Sequence, residues 1–531
     1  MRAKMRHLLV VLGGAAALLG APQCAPQAGR PPTTALASAG RAPRLRPDYA
    51  DTVIPPNIAP LNFRVEEPGV RYYVRVHQGD GDAVEVMSHS PDIIIPPAPW
   101  SRLLARARGG SILLDVCVQA EDRSWRRFDS VQNAVAREEV DHYLFYRLFT
   151  AAYNFWRGMA ICQRDVETYD EEVVLDNTTI GHSCMNCHTF LNNGTDKVIF
   201  HLRPGSRSYG NGMILIEGDR VTKVDTRTRF NKRSAAYASW HPSGKVLAFS
   251  VNAVKLFFHD ARVEVRDAFD LSSDVALYSP ESGTVSSTRA LSDPDALETY
   301  PAWSADGRHL YFCSAPITWP ATDQVPPEGF DQTRYSLVRI GYDVETGTWG
   351  EPETLLTPED AGGSITQPRA SPDGRFLVFC VHDYGPFAVY QRSSDLYLMD
   401  LGTRQYRRLD CNSEQSESWH SWSSNGRWIV FATKRDNGLF GRLYFSYIDQ
   451  DGKAHKAFLL PQREPTFYDS LLKTYNLPEL ARDPLPVAGE RLAGAIRSGG
   501  WVASDLPVTS ATPRIESEAA TKPDEGTDYY H

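Results

Sequence analysis

Short apolar runs separated by turn-forming residues mark the first part of the chain. Arg71–Val76 and Ser111–Val116 are examples, each bounded by Gly, Asp or Ser. Runs of this length, rich in Val, Ile and Tyr and bounded by turn residues, are typical of β-strands. The pattern predicts a small β domain over residues 52–138.

The pattern changes between Asp141 and Cys162. Apolar side chains recur there at helical spacing, and Tyr, Phe and Trp occupy the other faces. A helix that is apolar nearly all round is usually buried. We therefore predict a helical segment over residues 139–198 that begins with a core helix, which either joins two domains or forms one wall of an apolar cofactor pocket. The spacing rests on Leu144, Leu148, Ala152, Phe155 and Met159.

A turn followed by a strand repeats four times in the second half of the chain. In each copy a Gly ends the turn, an aliphatic residue stands three positions later and a Phe five positions later. Gly tolerates the positive φ of such a turn, and the two apolar positions then share one face of a strand. The four turns are residues 240–244, 303–307, 370–374 and 422–426.

Each copy continues into a second hairpin signal, which predicts one four-stranded sheet per roughly 50 to 70 residues. Met213–Ile216 and Val221–Val224 add a further pair of strands. The fold class predicted is therefore mainly β, with a propeller of five or six blades over residues 199–462. A stacked β-solenoid is the alternative, although its repeats are usually much shorter. The four turns resemble the TolB-like (WD-like) propeller repeat, and this resemblance covers roughly residues 200–462.

The two ends of the chain have distinct compositions. Arg2, Lys4 and Arg6 precede the apolar run Leu8–Leu19, which is too short to span a bilayer. This pattern predicts a signal peptide over residues 1–24, with a retained membrane anchor or a lipid on Cys24 as alternatives, and a mature chain without a transmembrane helix.

Three further segments complete the predicted organisation. Residues 25–51, rich in Pro, Ala and Arg, are predicted to be a linker. Residues 463–503 are predicted to be a docking segment with a helix around Tyr468 and Leu471. Residues 504–531 have too few apolar side chains to order themselves, so we expect a disordered tail.

Overall charge limits the classes of partner. The 531 residues carry a formal charge of −9, and no dense basic block is present. Nucleic-acid binding needs a clustered positive surface, so we expect no nucleic-acid partner.

The sharpest chemical signal is the five-residue segment Cys184–His188. Two cysteines three positions apart with His next to the second are typical of c-type haem attachment. The thiols of Cys184 and Cys187 add to the porphyrin vinyl groups, and His188 is then the proximal iron ligand. A redox-active disulfide, half of a zinc site and an incidental spacing are the alternatives. No other cysteine is followed by His at this spacing, so we predict one covalent haem c.

The second iron ligand has three candidates beyond the attachment segment. His201 is preferred as the distal ligand, with Met213 and His241 behind it. Arg203 is a candidate partner for a haem propionate because a guanidinium matches carboxylate geometry, and a solvated strand residue is the alternative.

With these segments combined, the chain resembles envelope proteins described as TolB-like propellers with an attached cytochrome c motif. The resemblance implies haem binding by Cys184, Cys187 and His188 and a place in the periplasm or facing the outer membrane. It adds weight to His201 and Arg203 as a recurrent His-X-Arg pair, and it implies no settled reaction. It rests on residues 54–61, 184–190, 239–242 and 444–461.

Two functional hypotheses follow, both in the cell envelope. The first is a single-haem electron-transfer module whose propeller docks a redox protein. The second is an adaptor that binds an envelope protein or cell-wall component, with a structural or sensory haem. An enzyme is less favoured because the chain lacks a Gly-X-Ser-X-Gly elbow, although an open iron site would permit peroxidase chemistry. The acidic run over residues 165–172 is attributed to a solvated face.

Overall fold

The computed structural model describes residues 36–506 apart from residues 80 and 82 and segments 151–157, 206–208, 229–230, 260–263 and 320–323. The predicted signal peptide, and the predicted tail from residue 507 onward, lie outside these residues. The described chain is mainly β. None of its described helices is long and apolar enough to cross a membrane.

The N-terminal part forms a seven-stranded and a three-stranded sheet around one helix. The helix α1 buries Trp100, Leu103, Leu104 and Ala107, which lie on one face because they are three or four residues apart. The seven-stranded sheet has the order β1-β9-β8-β10-β3, with β5 joining β8 and β6 joining β5, and the smaller sheet has the order β2-β4-β7. The elements are β1 (Ala37–Ser38), β2 (Leu45–Arg46), β3 (Val53–Ile54), β4 (Phe63–Val65), β5 (Arg71–His77), β6 (Ala83–Ser88), β7 (Asp92–Ile93), α1 (Pro97–Ala107), β8 (Ser111–Gln119), β9 (Trp125–Arg127) and β10 (Val131–Val135).

The prediction of a linker over residues 25–51 is wrong for its second half. Residues 36–51 contain β1 and β2, and the side chains of Leu45 and Tyr49 are buried in the core of the N-terminal part. Burial of these two side chains offsets part of the entropy lost on ordering the segment.

Six further sheets follow, numbered here 1 to 6. Sheet 1 takes three strands from the start of this region and its fourth from the C-terminal part, in the order β13-β12-β11-β34. Sheets 2 to 6 are built from consecutive antiparallel strands, and β35 pairs in parallel with the last strand of sheet 2.

The bounds of these elements are as follows. Sheet 1 begins with β11 (Tyr143–Thr150), β12 (Ala160–Asp165) and β13 (Glu171–Asp176), and sheet 2 has β14 (Cys184–Leu191), β15 (Gly194–Arg203), β16 (Gly212–Glu217) and β17 (Arg220–Asp225). Sheet 3 has β18 (Ala236–Trp240), β19 (Leu247–Phe258), β20 (Arg266–Ser279) and β21 (Thr284–Ser286), and sheet 4 has β22 (Ala296–Trp303), β23 (His309–Pro316), β24 (Ser336–Asp343) and β25 (Thr348–Leu356). After α2 (Pro358–Ala361), sheet 5 has β26 (Ser364–Ala370), β27 (Phe376–His382), β28 (Asp395–Asp400) and β29 (Tyr406–Arg408). Sheet 6 has β30 (Glu417–Trp422), β31 (Trp428–Thr433), β32 (Arg442–Tyr447) and β33 (Phe458–Leu459), and the chain ends with α3 (Phe467–Ser470), β34 (Lys473–Ala481), α4 (Gly489–Arg497) and β35 (Val502–Ala503).

One edge strand of every sheet contacts its counterparts in the two neighbouring sheets. These edge strands are β34, β14, β18, β22, β26 and β30, in that order, and β30 in turn contacts β34. We call them the axial strands. The four repeated turns each join an axial strand to the next strand of sheets 3 to 6, and their glycines have φ between +66° and +72°.

The helix predicted over Asp141–Cys162 is absent from the described part of that range, which forms β11 and β12. Leu144 and Tyr146 pack against the N-terminal core, whereas Phe145 and Phe149 pack against sheet 2. Both faces of this sheet are buried, so both faces of its strands are apolar, and the spacing of Leu144 and Leu148 is explained by a two-sided strand. Ala152 and Phe155, on which the helical spacing also rested, lie outside the described residues.

The helix predicted around Tyr468 is also shorter than expected. It is the single turn α3, and the chain then enters β34, which pairs antiparallel with β11. Tyr475 and Leu480 of β34 are buried, so this segment contributes a strand to a sheet rather than a docked helix. A helix does lie further along, where α4 buries Leu492, Ala493 and Ile496.

Replacement of Gly307 by Ala is expected to destabilise the protein more than replacement of Gly347. Both glycines have positive φ, 72° and 69°, which costs an L-residue about 1–2 kcal/mol. A Cβ at Gly307 would lie 2.3 Å from His241 Nε2, whereas a Cβ at Gly347 would meet nothing within 4 Å. We expect Gly307→Ala to lower the free energy of unfolding by about 1–3 kcal/mol more than Gly347→Ala in urea titrations. Equal losses of unfolding free energy in the two variants would show that the contact between the new Cβ and His241 adds no cost.

Candidate functional site

The Cys184–His188 segment lies in β14, the axial strand of sheet 2. Cys184 is opposite Arg203 and His188 is opposite Phe200 in the neighbouring strand, and the register shifts between Met185 and His188. The extra residue makes a β-bulge, a feature that redirects side chains. The segment is therefore part of the sheet, and the prediction of a helical attachment segment upstream of the sheets is wrong at this point.

The three candidate haem-binding side chains are all buried. The thiols of Cys184 and Cys187 are free. Cys184 packs in the cluster between sheets 1 and 2, and Cys187 packs in the cluster at the axis. The ring of His188 lies between those of Phe190 and Phe200, with centroid distances of 6.0 and 6.2 Å.

His188 is a neutral imidazole at physiological pH. Burial, and then the charges of Arg147 and Arg369, lower the pKa of His188 to about 3. Both ring nitrogens are buried and make no hydrogen bond of normal geometry in the described structure, although the backbones of Phe145 and Leu477 lie close enough to oppose the lowering of the pKa. A neutral imidazole with a free ring nitrogen is the form that binds a metal ion.

Arg147 is a site residue that the sequence analysis missed. It is buried in β11. Its charge lowers the pKa of the Cys184 and Cys187 thiols, against the effect of burial, and it lowers the pKa of His188 in the same direction as burial does. Its guanidinium lies over the ring of Phe149, 4.6 Å from the centroid. In the sequence, Arg147 is a single charged residue within an otherwise apolar run. The interpretation of that run as a buried helix gave this charge no role.

The candidates for the second iron ligand do not converge on His188. His188 is opposite Phe200 in the register, and successive side chains of a strand point to opposite faces, so His201 is on the other face of sheet 2. Met213 is opposite His201 and packs between sheets 2 and 3.

His241 has a structural role in a repeat turn. Its Nδ1 lies 2.7 Å from Ser243 Oγ, and its Nε2 lies 3.0 Å from the carbonyl oxygen of Gly307 in the next turn. None of these three predicted distal ligands is therefore brought to the face that His188 occupies.

His201 and Arg203 nevertheless form part of the surroundings of the cysteines. Burial and the charge of Arg203 lower the pKa of His201 to about 3, and both of its ring nitrogens are also buried without a hydrogen-bond partner in the described structure. The charge of Arg203 also acts on both thiols. The predicted role of Arg203 as a propionate partner stays a prediction, now shared with Arg147.

An open-mouthed cavity of about 500 Å³, solvent at its mouth included, lies between the axial strands next to Cys187 and His188. Each of five axial strands contributes one residue with a left-handed backbone to its lining. Non-glycine residues rarely adopt positive φ, and such strained positions cluster at binding and catalytic sites. They are Tyr237 (41°), Tyr300 (53°), Gln367 (55°), Trp419 (51°) and Leu477 (50°).

The repeat itself carried a signal for four of these residues. Each stands seven positions before the Gly of a repeated turn, although the residue types differ. A search for repeats detects identical residue types, whereas these four positions share a backbone conformation and not a residue type. They are Tyr237, Tyr300, Gln367 and Trp419.

Among the described residues, no group of three or more His, Cys, Asp or Glu is placed to hold a metal ion. Within the acidic run, Glu171 lies close enough to the hydroxyl of Tyr146 to accept its hydrogen bond, and Glu172 accepts one from Gln163. These carboxylates therefore have partners within sheet 1.

Comparisons with known proteins support only a coarse description of the fold. No protein-family profile and no curated protein matches the chain. Among solved structures, oligogalacturonate lyase from Vibrio parahaemolyticus is 13% identical over 65% of this chain and 88% of its own, with a TM-score of 0.31. A structure of the nidogen/laminin complex is 10% identical over 64% and 99%, with a TM-score of 0.38. Hydrazine synthase from Kuenenia stuttgartiensis is 12% identical over 64% and 46%, with a TM-score of 0.41. The chain is mainly β with several sheets, and such distant likeness carries no argument about its chemistry.

Proposed function

We propose that this chain is an extracytoplasmic protein that binds one c-type haem covalently through Cys184 and Cys187 and transfers electrons to a protein partner. The observation that carries the proposal is His188, a buried imidazole directly after the second of two free thiols, whose ring nitrogens make no hydrogen bond of normal geometry to a described atom. A buried polar group without a partner costs about 1–3 kcal/mol, and an iron–nitrogen bond would remove that cost at one nitrogen. The basic, then apolar start of residues 1–24 supports a place outside the cytoplasm.

The same proposal includes a closed propeller of six blades. Six sheets with axial strands that contact one another in sequence support it. In this arrangement sheet 1 is the closing blade, because β11 and β34 come from opposite ends of the region. Closure would protect the edge of each axial strand by packing it between its two neighbours.

The residues of this site fit a covalent haem in their chemistry. Each thiol adds across a vinyl double bond, forming S–C and C–H bonds with no leaving group, so the chain gains one intact haem. His188 offers a lone pair to the iron, and the guanidinium of Arg147 can balance a propionate carboxylate. Phe190 and Phe200 exclude water around the imidazole. A haem bound here would supply one-electron redox chemistry, tuned by burial and by its axial ligands.

The test is production of the full chain in a host that matures c-type cytochromes. We expect a coloured protein whose denatured mass exceeds that of the processed chain by one haem, and a reversible change between oxidised and reduced visible spectra. Cys184→Ala and Cys187→Ala together should abolish the added mass. Cys313→Ala is the matched control, because Cys313 is also a buried free thiol and Ala432 fills the equivalent position in sheet 6.

A colourless wild-type chain with no added mass would contradict the proposal. Equal loss of haem in Cys313→Ala would show that the effect comes from misfolding rather than from attachment. Retention of haem by the double cysteine variant after denaturation would place the covalent bond elsewhere.

A further inference from the structure

The cavity between the axial strands has buried hydrogen-bond donors that no protein atom satisfies. Gln367 is 5% exposed, and its Nε2 has no partner among the described atoms. The indole Nε1 of Trp419 is also buried and unpartnered. Both residues line the cavity. Because buried donors are nearly always satisfied in folded proteins, two in one cavity point to a missing acceptor.

The orientation of the Gln367 amide follows from its neighbours. Its Oε1 accepts a hydrogen bond of 2.8 Å from the backbone N–H of Trp419. A backbone N–H can only donate, so this end of the amide must be the oxygen. The NH₂ group is therefore the end left without a partner.

The remaining polar lining is balanced in charge. Arg369 and Glu479 form an ion pair of 2.8 Å, so neither presents an unmatched charge. Burial lowers the pKa of His420 to about 3, and its Nε2 lies 3.0 Å from the carbonyl oxygen of Val378. A lining that is neutral overall and has free donors favours a neutral ligand with acceptor oxygens over an ion.

Aromatic rings determine the shape of the space. Tyr237 stacks on Trp419 with a centroid distance of 5.8 Å and an interplanar angle of 27°. Tyr300 packs against both, 4.5 Å from Tyr237 and 6.1 Å from Trp419. Flat, rigid walls of this kind bind flat molecules, because they lose little entropy on contact.

We infer that this cavity is a binding site for a small, planar, neutral molecule that presents a carbonyl oxygen to Gln367 Nε2 and Trp419 Nε1. Neither donor belongs to the Cys184–His188 segment, although Cys187 and His188 also line the cavity. Its position beside Cys187 and His188 would bring such a ligand next to the proposed redox centre.

Benzamide is a suitable probe because it is planar and neutral and carries one carbonyl group. We expect saturable binding of benzamide to the full chain by titration calorimetry or ligand-observed NMR. Benzylamine, which keeps the ring and replaces the carbonyl with a cationic donor, should bind at least about tenfold more weakly, since one hydrogen bond in a buried site is worth about 1.4 kcal/mol. Equal binding of the two probes would overturn the inference.

Two conservative variants test the donors without removing the walls. Gln367→Glu keeps the oxygen that accepts from the Trp419 backbone and replaces the free donor with an acceptor, so benzamide affinity should fall about tenfold or more and benzylamine affinity should rise. Trp419→Phe keeps an aromatic wall and removes the indole N–H, with an expected loss of about tenfold. Trp349→Phe is the control because Trp349 lies in the outer strand β25. An unchanged affinity in both site variants would contradict the inference even if benzamide binds.

A comparison of benzamide binding to the haem-free and the haem-loaded protein distinguishes a failure of this inference from a failure of the proposed function. Binding in both forms supports an independent site. Binding only in the haem-free form would overturn the inference by showing that the haem itself occupies the cavity. If no haem attaches in any host and benzamide still binds, the proposed function fails and the ligand site stands.

Discussion

A chain that ends at Leu472 is expected not to fold, whereas a chain that ends at Leu506 should unfold at the same temperature as the full protein. The shorter chain lacks β34, the axial strand of sheet 1, which pairs with β11 along its length. It also lacks the buried side chains of Tyr475 and Leu480 and the helix α4. Each fully buried side chain of this size contributes about 1.5–3 kcal/mol, so several together equal the whole stability of a typical protein.

Circular dichroism and limited proteolysis would measure this effect. We expect the chain ending at Leu472 to lose its cooperative thermal transition and to be cleaved within sheet 1. A chain that ends at Leu506 retains every described contact and is the control. A cooperative transition in the shorter chain, at the same temperature as in the longer one, would show that sheet 1 is stable without its axial strand.

A matched pair of point variants tests the same strand without truncation. Leu480 is 1% exposed in β34, whereas Leu472, just before it, is 71% exposed. We expect Leu480→Ala to lower the free energy of unfolding by about 2–5 kcal/mol and Leu472→Ala by less than about 0.5 kcal/mol. Similar losses in the two variants would contradict the packing described here.

The same strand explains what the sequence could and could not predict about the fold. The repeated turns were recognisable because each carries its own Gly and its own alternating apolar pair, as at Gly307 and Leu310. Sheet 1 has no such local signal, because β11 is buried on both faces and its partner β34 is far away along the chain, where no local pattern can show the pairing. Local periodicity therefore favoured a helix where long-range pairing makes a strand.

The candidate site likewise has one part that local spacing indicates and another part that it does not. Cys184, Cys187 and His188 could be proposed as haem-binding residues because that chemistry depends on spacing within one short segment, and the assignment stays a prediction. The cavity could not be predicted in this way, since its lining comes two or three residues at a time from six axial strands. The alternation of β14 and β15 places His188 and His201 on opposite faces of sheet 2, which spacing along the chain does not show, and the role of His201 as distal ligand stays a prediction.

Replacement of Asp270 by Asn is expected to stabilise the protein at pH 8 and to have little effect at pH 4. Asp270 is 1% exposed, and its carboxylate accepts a hydrogen bond of 2.9 Å from Asn252. Burial raises the pKa of the Asp270 carboxyl from 3.8 to about 7, against the smaller opposing effects of Asn252 and Arg203. The folded state therefore holds a proton that the unfolded state has released between these two pH values.

The sign of the effect follows from this difference in bound protons. Below about pH 4 the carboxyl is protonated in both states and destabilises neither. As the pH rises from about 4 to 7 the wild-type protein loses stability, because the unfolded chain ionises freely and the buried carboxyl does not. A shift of about three pKa units corresponds to roughly 4 kcal/mol at pH 8, and Asn, which stays neutral, avoids that loss.

Urea titrations of the wild type and Asp270→Asn at pH 4, 6 and 8 would measure the difference. We expect the advantage of the variant to grow over this range, while Asp451→Asn, at an exposed turn, shows no such trend. A constant difference across the range would mean that Asp270 ionises normally in the folded protein. The buried carboxyl is then a structural cost that rises with pH, carried beside Asn252 in sheet 3, and its charge also acts on Tyr237 and Tyr300 of the cavity wall.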